Sequence, residues 1–116
     1  MFVLLFSVIQ IMKLLRDTEL SRRNGVFDIV TETSHCQVAT MVLQPGELSG
    51  EYGNEHPGSD QLLYVMEGKA EATVEGKKVE LREDDVILIE AGEKHQIRCA
   101  GEAILRTLNV YTPPGY

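Results

Sequence analysis

The stretch over residues 45–68, PGELSGEYGNEHPGSDQLLYVMEG, most constrains what this chain can fold into. It opens on Pro45-Gly46, turns at Pro57-Gly58-Ser59-Asp60 and closes on Glu67-Gly68. Turn residues bounding aromatic and β-branched runs predict a hairpin. Its first arm is a short polar strand ending at His56, and its second returns from Gln61 to Met66. Side chains alternate faces along a strand, so Asn54 and His56 share one face, as do Gln61, Leu63 and Val65. If the faces coincide, His56 and Gln61 meet across the pair as possible metal ligands. By the same alternation Glu55 points away from His56. Glu51 and Asp60 reach such a site only through an irregular turn.

A second stretch, DDVILIEAGEKHQIRC over residues 84–99, supplies another candidate ligand. The apolar run Val86 to Ile89 reads as a buried strand that leads through Ala91-Gly92 to His95. On the strand that follows, His95, Ile97 and Cys99 share one face, with Gln96 and Arg98 on the other.

These two stretches resemble the two motifs of the cupin superfamily. The first motif has a Pro-Gly turn, His-x-His, a Glu a few residues on, and a Tyr-Val-x-x-Gly ending. Here Asn54 and His56 occupy the His-x-His positions, Gln61 the Glu position, and Tyr64-Val65-Met66-Glu67-Gly68 the ending. The second motif has Gly-Asp, an apolar run, Pro-x-Gly-x-x-His and often Asn four residues later. Asp84-Asp85, the run from Glu90 to His95, and Cys99 stand in those places. The resemblance runs from about Gly25 to the end. It is greatest to small single-domain cupins with Asp-Gln after the motif His and a Tyr-x-Pro-Pro tail, matched here by Tyr111-Thr112-Pro113-Pro114. It implies an all-β chain folded as a double-stranded β-helix, or jelly-roll barrel, with a divalent metal ion inside.

The rest of the chain agrees with a barrel. Residues 25–33 and 35–44 read as strands. In residues 69–75, Ala70, Ala72 and Val74 alternate with Glu71, Thr73 and Glu75, the pattern of a half-exposed antiparallel strand. Gly76-Lys77 turns it into residues 78–81, and residues 103–111 close the sheet. Many short strands separated by turn residues predict a barrel or jelly roll. Residues 12–23 lead in with at most a helical turn. Residues 1–11, MFVLLFSVIQI, carry no charge. They lack the basic start and cleavage site of a signal peptide. Lys13 and Arg16 arrive too early for a membrane span of about 20 apolar residues. Met12 is read as the natural start, with 1–11 as an upstream extension and 12–116 as one cupin domain; an ordered strand or interface segment is the alternative.

Length and charge narrow the function. A chain of 116 residues makes one domain able to bury a core. A net charge of −7 argues against a nucleic-acid backbone as partner. Cys36 and Cys99 have no metal or disulfide spacing and read as reduced thiols of a cytoplasmic protein. The runs Gln61 to Met66 and Val86 to Ile89 are apolar on both faces, so an outer row of Leu62, Tyr64 and Met66 needs a cover. A homodimer supplies one, and the resemblance implies the same.

The candidate metal ligands are therefore His56, Gln61 and His95, with Asn54 as a further possibility. The third histidine, His35, falls in a surface turn. The ligand set is neutral, whereas the usual non-haem iron site has two His and a carboxylate. A bound ion should then attract a small anionic molecule. Two function classes stay open. One is a metal-dependent enzyme, a dioxygenase or a sugar or sugar-phosphate isomerase, acting on a small oxygenated substrate with Glu51 or Tyr52 transferring protons. The other is a non-catalytic module that binds or senses a metal and a small ligand.

Overall fold

The computed structural model describes residues 12–16, 20 and 24–116. The expectation for residues 1–11 lies outside the described residues. Among the described residues eight strands make up the fold: β1 (Phe27–Glu32), β2 (Gln37–Leu43), β3 (Asp60–Glu67), β4 (Ala70–Val74), β5 (Lys77–Leu81), β6 (Val86–Ile89), β7 (His95–Cys99) and β8 (Leu105–Thr112). They form a five-stranded sheet ordered β1-β2-β8-β3-β6 and a three-stranded sheet ordered β5-β4-β7. Every named pairing is antiparallel. This is the expected all-β jelly roll. No helix among the described residues is long and apolar enough to cross a membrane.

Alternation explains how the sheets close on each other. Along β8, Leu105, Thr107, Asn109 and Tyr111 are buried while Arg106, Leu108 and Val110 are half-buried. Along β3, Gln61, Leu63 and Val65 point inward. In the smaller sheet Ala70 and Ala72 on β4, and Ile97 and Cys99 on β7, face the same interior. These inner faces form one core with Met41, Leu43, Leu81, Ile89 and Leu105. The alternating run over residues 69–75 is β4, and it turns into β5 through Glu75 and Gly76, both at positive φ (48° and 78°). That is the conformation of a tight two-residue hairpin loop.

Two expectations change. The segment before His56 is not a strand. Residues 45–59 carry four glycines and two prolines, a composition that weakens a ladder. They make only two isolated bridges to β7, Leu48 with Arg98 and Gly53 with His95. β3 pairs instead with β8 and β6, so the expected hairpin is a loop followed by a strand. The second change concerns β6, which is buried on one face only. Ile89 is fully buried, while Val86 and Leu88 are 55% and 61% exposed.

Candidate metal and ligand site

His56 enters the interior from the irregular loop, not from a strand. Ser59 N–H donates to His56 O at 3.0 Å, closing the turn over Pro57 and Gly58. The chain then passes into β3, where the inward face of the pleat carries Gln61. The two side chains meet: His56 Nε2 lies 2.9 Å from Gln61 Oε1. His95, at the start of β7, brings its Nε2 to 3.2 Å from His56 Nε2. Thus the structure gathers three of the four candidate ligands at one point. His56 and Gln61 are buried and His95 is half-buried.

The outer nitrogen of each ring is also held. His56 Nδ1 lies 3.3 Å from Ser59 O, and His95 Nδ1 lies 3.0 Å from Glu93 O. A carbonyl can only accept, so the tautomer that serves both carbonyls carries its proton on each Nδ1 and presents a lone pair at each Nε2; the other tautomer of His56 would donate from Nε2 to Gln61 Oε1 instead. Gln61 Oε1 presents another. Turning the Gln61 amide over would give His56 a donor but would leave the two imidazole lone pairs facing each other. A backbone carbonyl behind each imidazole is the usual outer support of a metal-binding histidine.

The fourth candidate, Asn54, is joined to this cluster by no hydrogen bond, but its Oδ1 is buried without a partner. Among the described residues no group of three or more His, Cys, Asp or Glu is placed to hold a metal. The convergent set consists of two imidazoles and an amide.

Glu51 and Tyr52 are not brought to the cluster. Both are exposed. Tyr52 borders a shallow depression beside Glu71, Lys78 and Arg98, where its hydroxyl accepts from Gly76 N–H at 2.9 Å. Asp60 is engaged elsewhere, its Oδ1 accepting from Ala91 N–H at 2.8 Å.

The carboxylate that does arrive is Glu55, against the alternation argument. Because residues 45–59 are not a regular strand, period-two alternation does not apply to them. Glu55 borders the same cavity as Gln61 and His95. This cavity has a volume of about 180 Å³. Its apolar side includes Phe27, Met41, Ile97, Tyr111 and Tyr116; its polar side includes Ser49, Glu55, Gln61 and His95.

The tail forms the roof, a role that sequence reasoning missed. Gln37, fully buried at the start of β2, clamps it. Its Oε1 accepts from Gly115 N–H at 3.2 Å and Tyr116 N–H at 3.0 Å, and its Nε2 donates to Tyr116 O at 2.8 Å. Ser59 Oγ donates to Pro113 O at 2.6 Å. Gly115 passes so close to His56 that a Cβ on it would lie 2.8 Å from His56 Cβ. The Tyr116 ring then packs on Phe27 at 4.7 Å and Tyr111 at 5.1 Å, and Tyr111 sets its edge to His56 at 4.9 Å. The Tyr116 hydroxyl donates to Glu55 Oε2 at 3.3 Å. Burial, reinforced by the Glu55 charge, pushes the Tyr116 hydroxyl up to about 12. Burial pushes Tyr111 up as well, with Tyr116 and Glu55 adding to it. The signal for this roof lay in the Tyr-x-Pro-Pro tail and in the inward alternation of β8 at Tyr111.

Comparison with known proteins places this arrangement. The family described as Cupin domain matches residues 39–111, well over half of the chain. The chain is 34% identical over 71 residues to the tetracenomycin polyketide synthase protein TcmJ of Streptomyces glaucescens, covering 61% of this chain and 46% of that protein. It is 31% identical over 72 residues to the polyketide synthase CurC of Streptomyces cyaneus, covering 62% and 46%. The chain thus spans about half the length of these curated relatives. Among solved structures, BH2720 of Bacillus halodurans superimposes with a TM-score of 0.81 and 29% identity, covering 90% of this chain and 84% of that one. A double-stranded β-helix whose family match runs from inside β2 to the end of β8 identifies the chain as a member of the cupin family.

Proposed function

We propose that this cupin binds a divalent metal ion through His56, Gln61 and His95 and takes a small oxygenated molecule into the adjoining cavity. One observation carries the reading: two imidazole nitrogens and an amide oxygen converge, with separations of 2.9 and 3.2 Å, and a backbone carbonyl stands behind each imidazole, so that with both outer nitrogens protonated three lone pairs face one another. Facing lone pairs repel unless an electrophile sits among them. The spacing suits a metal. Donors at bonds of about 2.0–2.1 Å stand about 2.9 Å apart in an octahedron and about 3.4 Å apart in a tetrahedron. The separations here are 2.9 and 3.2 Å. The orphaned Asn54 Oδ1 is a further donor in reserve.

An ion held there would supply Lewis acidity toward a ligand oxygen. The protein's own residues do the rest. Tyr116, held by Gln37, covers part of the cavity, and Ser49 and Glu55 offer polar contacts beside the cluster. The hydrogen-bonded pair of Tyr116 and Glu55 sets a proton donor and an acceptor beside the ligand space, which favours turnover over storage. The two relatives named as polyketide synthase proteins support an oxygen-rich organic ligand. The second arm of the proposal is a homodimer. Leu62 pairs with Leu88 and Tyr64 with Val86 across β3 and β6, and all four side chains lie on the outer, incompletely buried face.

Metal analysis of the purified protein, followed by zinc or nickel titration of the stripped protein, tests the site. The expected result is one ion per chain in the wild type. A wild type that takes up no ion at micromolar concentration refutes it. Oxygen uptake and isomerisation assays with small hydroxylated substrates then separate an enzyme from a binding module.

A further inference from the structure

We infer that the ligand of this cavity is an uncharged, single-ring, hydroxylated aromatic molecule, and that Glu55 is the residue that selects it. The inference rests on the proposed reading that the cavity beside His56, Gln61 and His95 is the ligand site.

Size comes first. A dry protein cavity of about 150 Å³ accommodates benzene. The cavity here is about 180 Å³, so with the tail clamped by Gln37 it has room for one ring with a few small substituents. Shape comes next. Phe27, Tyr111 and Tyr116 all border it and already pack on one another with tilted and edge contacts. A flat ring extends such a cluster through the same offset and edge-to-face contacts, which an aliphatic ring cannot make.

Charge decides the rest. No lysine or arginine is among the described residues that border the cavity, while the Glu55 carboxylate is. Tyr116 occupies Glu55 Oε2, and among the described residues no hydrogen bond occupies Oε1. An ionised carboxylate only accepts, so its open oxygen rewards a ligand hydroxyl. The same charge repels a ligand phosphate or carboxylate while no ion is bound; a divalent ion in the neutral cluster carries the opposite sign and opposes that repulsion. The expectation of an anionic ligand rested on the neutral set at the ligand positions; Glu55 adds an acidic group beside that set. A sugar phosphate meets both obstacles, size and sign.

The test uses four probes on the full chain stripped of metal, so that the Glu55 charge is read alone: resorcinol, cyclohexane-1,3-diol, benzoate and inorganic phosphate, titrated by calorimetry; zinc uptake is measured separately. Resorcinol should bind the wild type with one-to-one stoichiometry and tighter than the other three. Glu55→Gln keeps the volume and removes the charge. It should weaken resorcinol and strengthen benzoate, each by roughly threefold to tenfold, the modest range expected for a group partly screened by solvent. In the wild type, raising salt to about 0.5 M shortens the screening length to a few ångströms and should narrow the gap between resorcinol and benzoate. This arm needs no variant.

Benzoate or phosphate binding the wild type as tightly as resorcinol overturns the inference. So does cyclohexane-1,3-diol matching resorcinol, a Glu55→Gln protein of wild-type stability with unchanged preference, or no binding of any probe. The two readings fail separately. Zinc uptake with a preference for benzoate sinks this inference and leaves the metal site. A preference for resorcinol without zinc uptake does the reverse.

Discussion

Replacing Gln37 with leucine should release the roof of the cavity. Gln37 has no exposed surface and makes four side-chain hydrogen bonds: three to the backbone of Gly115 and Tyr116, and one from Nε2 to Glu32 Oε2 at 2.7 Å. Leucine has nearly the same volume but offers no polar atom. If the tail stays in place, two N–H groups and a carbonyl lose their partners, at about 1–3 kcal/mol for each one kept from water. Letting the tail lift off costs less. Its backbone groups then bond to water, and what is lost is the net value of the bonds, about 0.5–1.5 kcal/mol apiece. Also lost is the packing of a Tyr116 ring that is already 49% exposed. The apolar gain from the new leucine offsets part of this. The net destabilisation should be about 2–3 kcal/mol, a fall of about 8–12 °C in Tm for a domain of this size. Urea unfolding and calorimetry measure the cost, and amide exchange at Gly115 and Tyr116 reports the release. A loss under about 0.5 kcal/mol, or unchanged exchange protection at those two amides, would show that Gln37 does not hold the tail.

Three further outcomes are expected. His56→Ala and His95→Ala should each abolish stoichiometric zinc binding, while Gln61→Glu should tighten it on the order of tenfold by adding an anionic oxygen to a neutral set; calorimetry that finds Gln61→Glu no tighter removes Gln61 from the ligand set. Light scattering should give a dimer at micromolar concentration, with an interface of about 1,600 Å² in total, and Leu88→Arg should yield a monomer that keeps the far-ultraviolet spectrum. A wild-type monomer would count against the outer row as an interface. At high pH the sign follows from Tyr116, whose hydroxyl titrates at about 12 in the folded chain against an ordinary value of 10. The folded state holds this proton more tightly, so its contribution is intact below pH 10 and is lost as pH rises from 10 to 12. Tyr64 is also raised, first by its hydrogen bond to Asp84, and Tyr111 is raised by burial. Absorbance titration at 295 nm should therefore show most of the four tyrosines ionising late and together with unfolding. Ionisation of all four near the ordinary value would contradict this.

The sequence by itself determined the barrel and the identity of its inward residues. Period-two alternation settles which side chains of a regular strand face the core, and it worked along three strands: Ala70 and Ala72 on β4, Ile97 and Cys99 on β7, Gln61, Leu63 and Val65 on β3. Motif spacing marked His56, Gln61 and His95, and these three converge. Only the tertiary structure decided what surrounds them. Residues 45–59, rich in glycine and proline, form no ladder, so no periodic rule could place Glu55 at the cavity or move Glu51 and Tyr52 away from it. The roof depends on contacts across 78 and 79 positions of chain, from Gln37 to Gly115 and Tyr116. Local propensity carries no information about such partners. They become neighbours only because β2 and β8 pair side by side in the larger sheet, which brings the start of one strand to the end of the other.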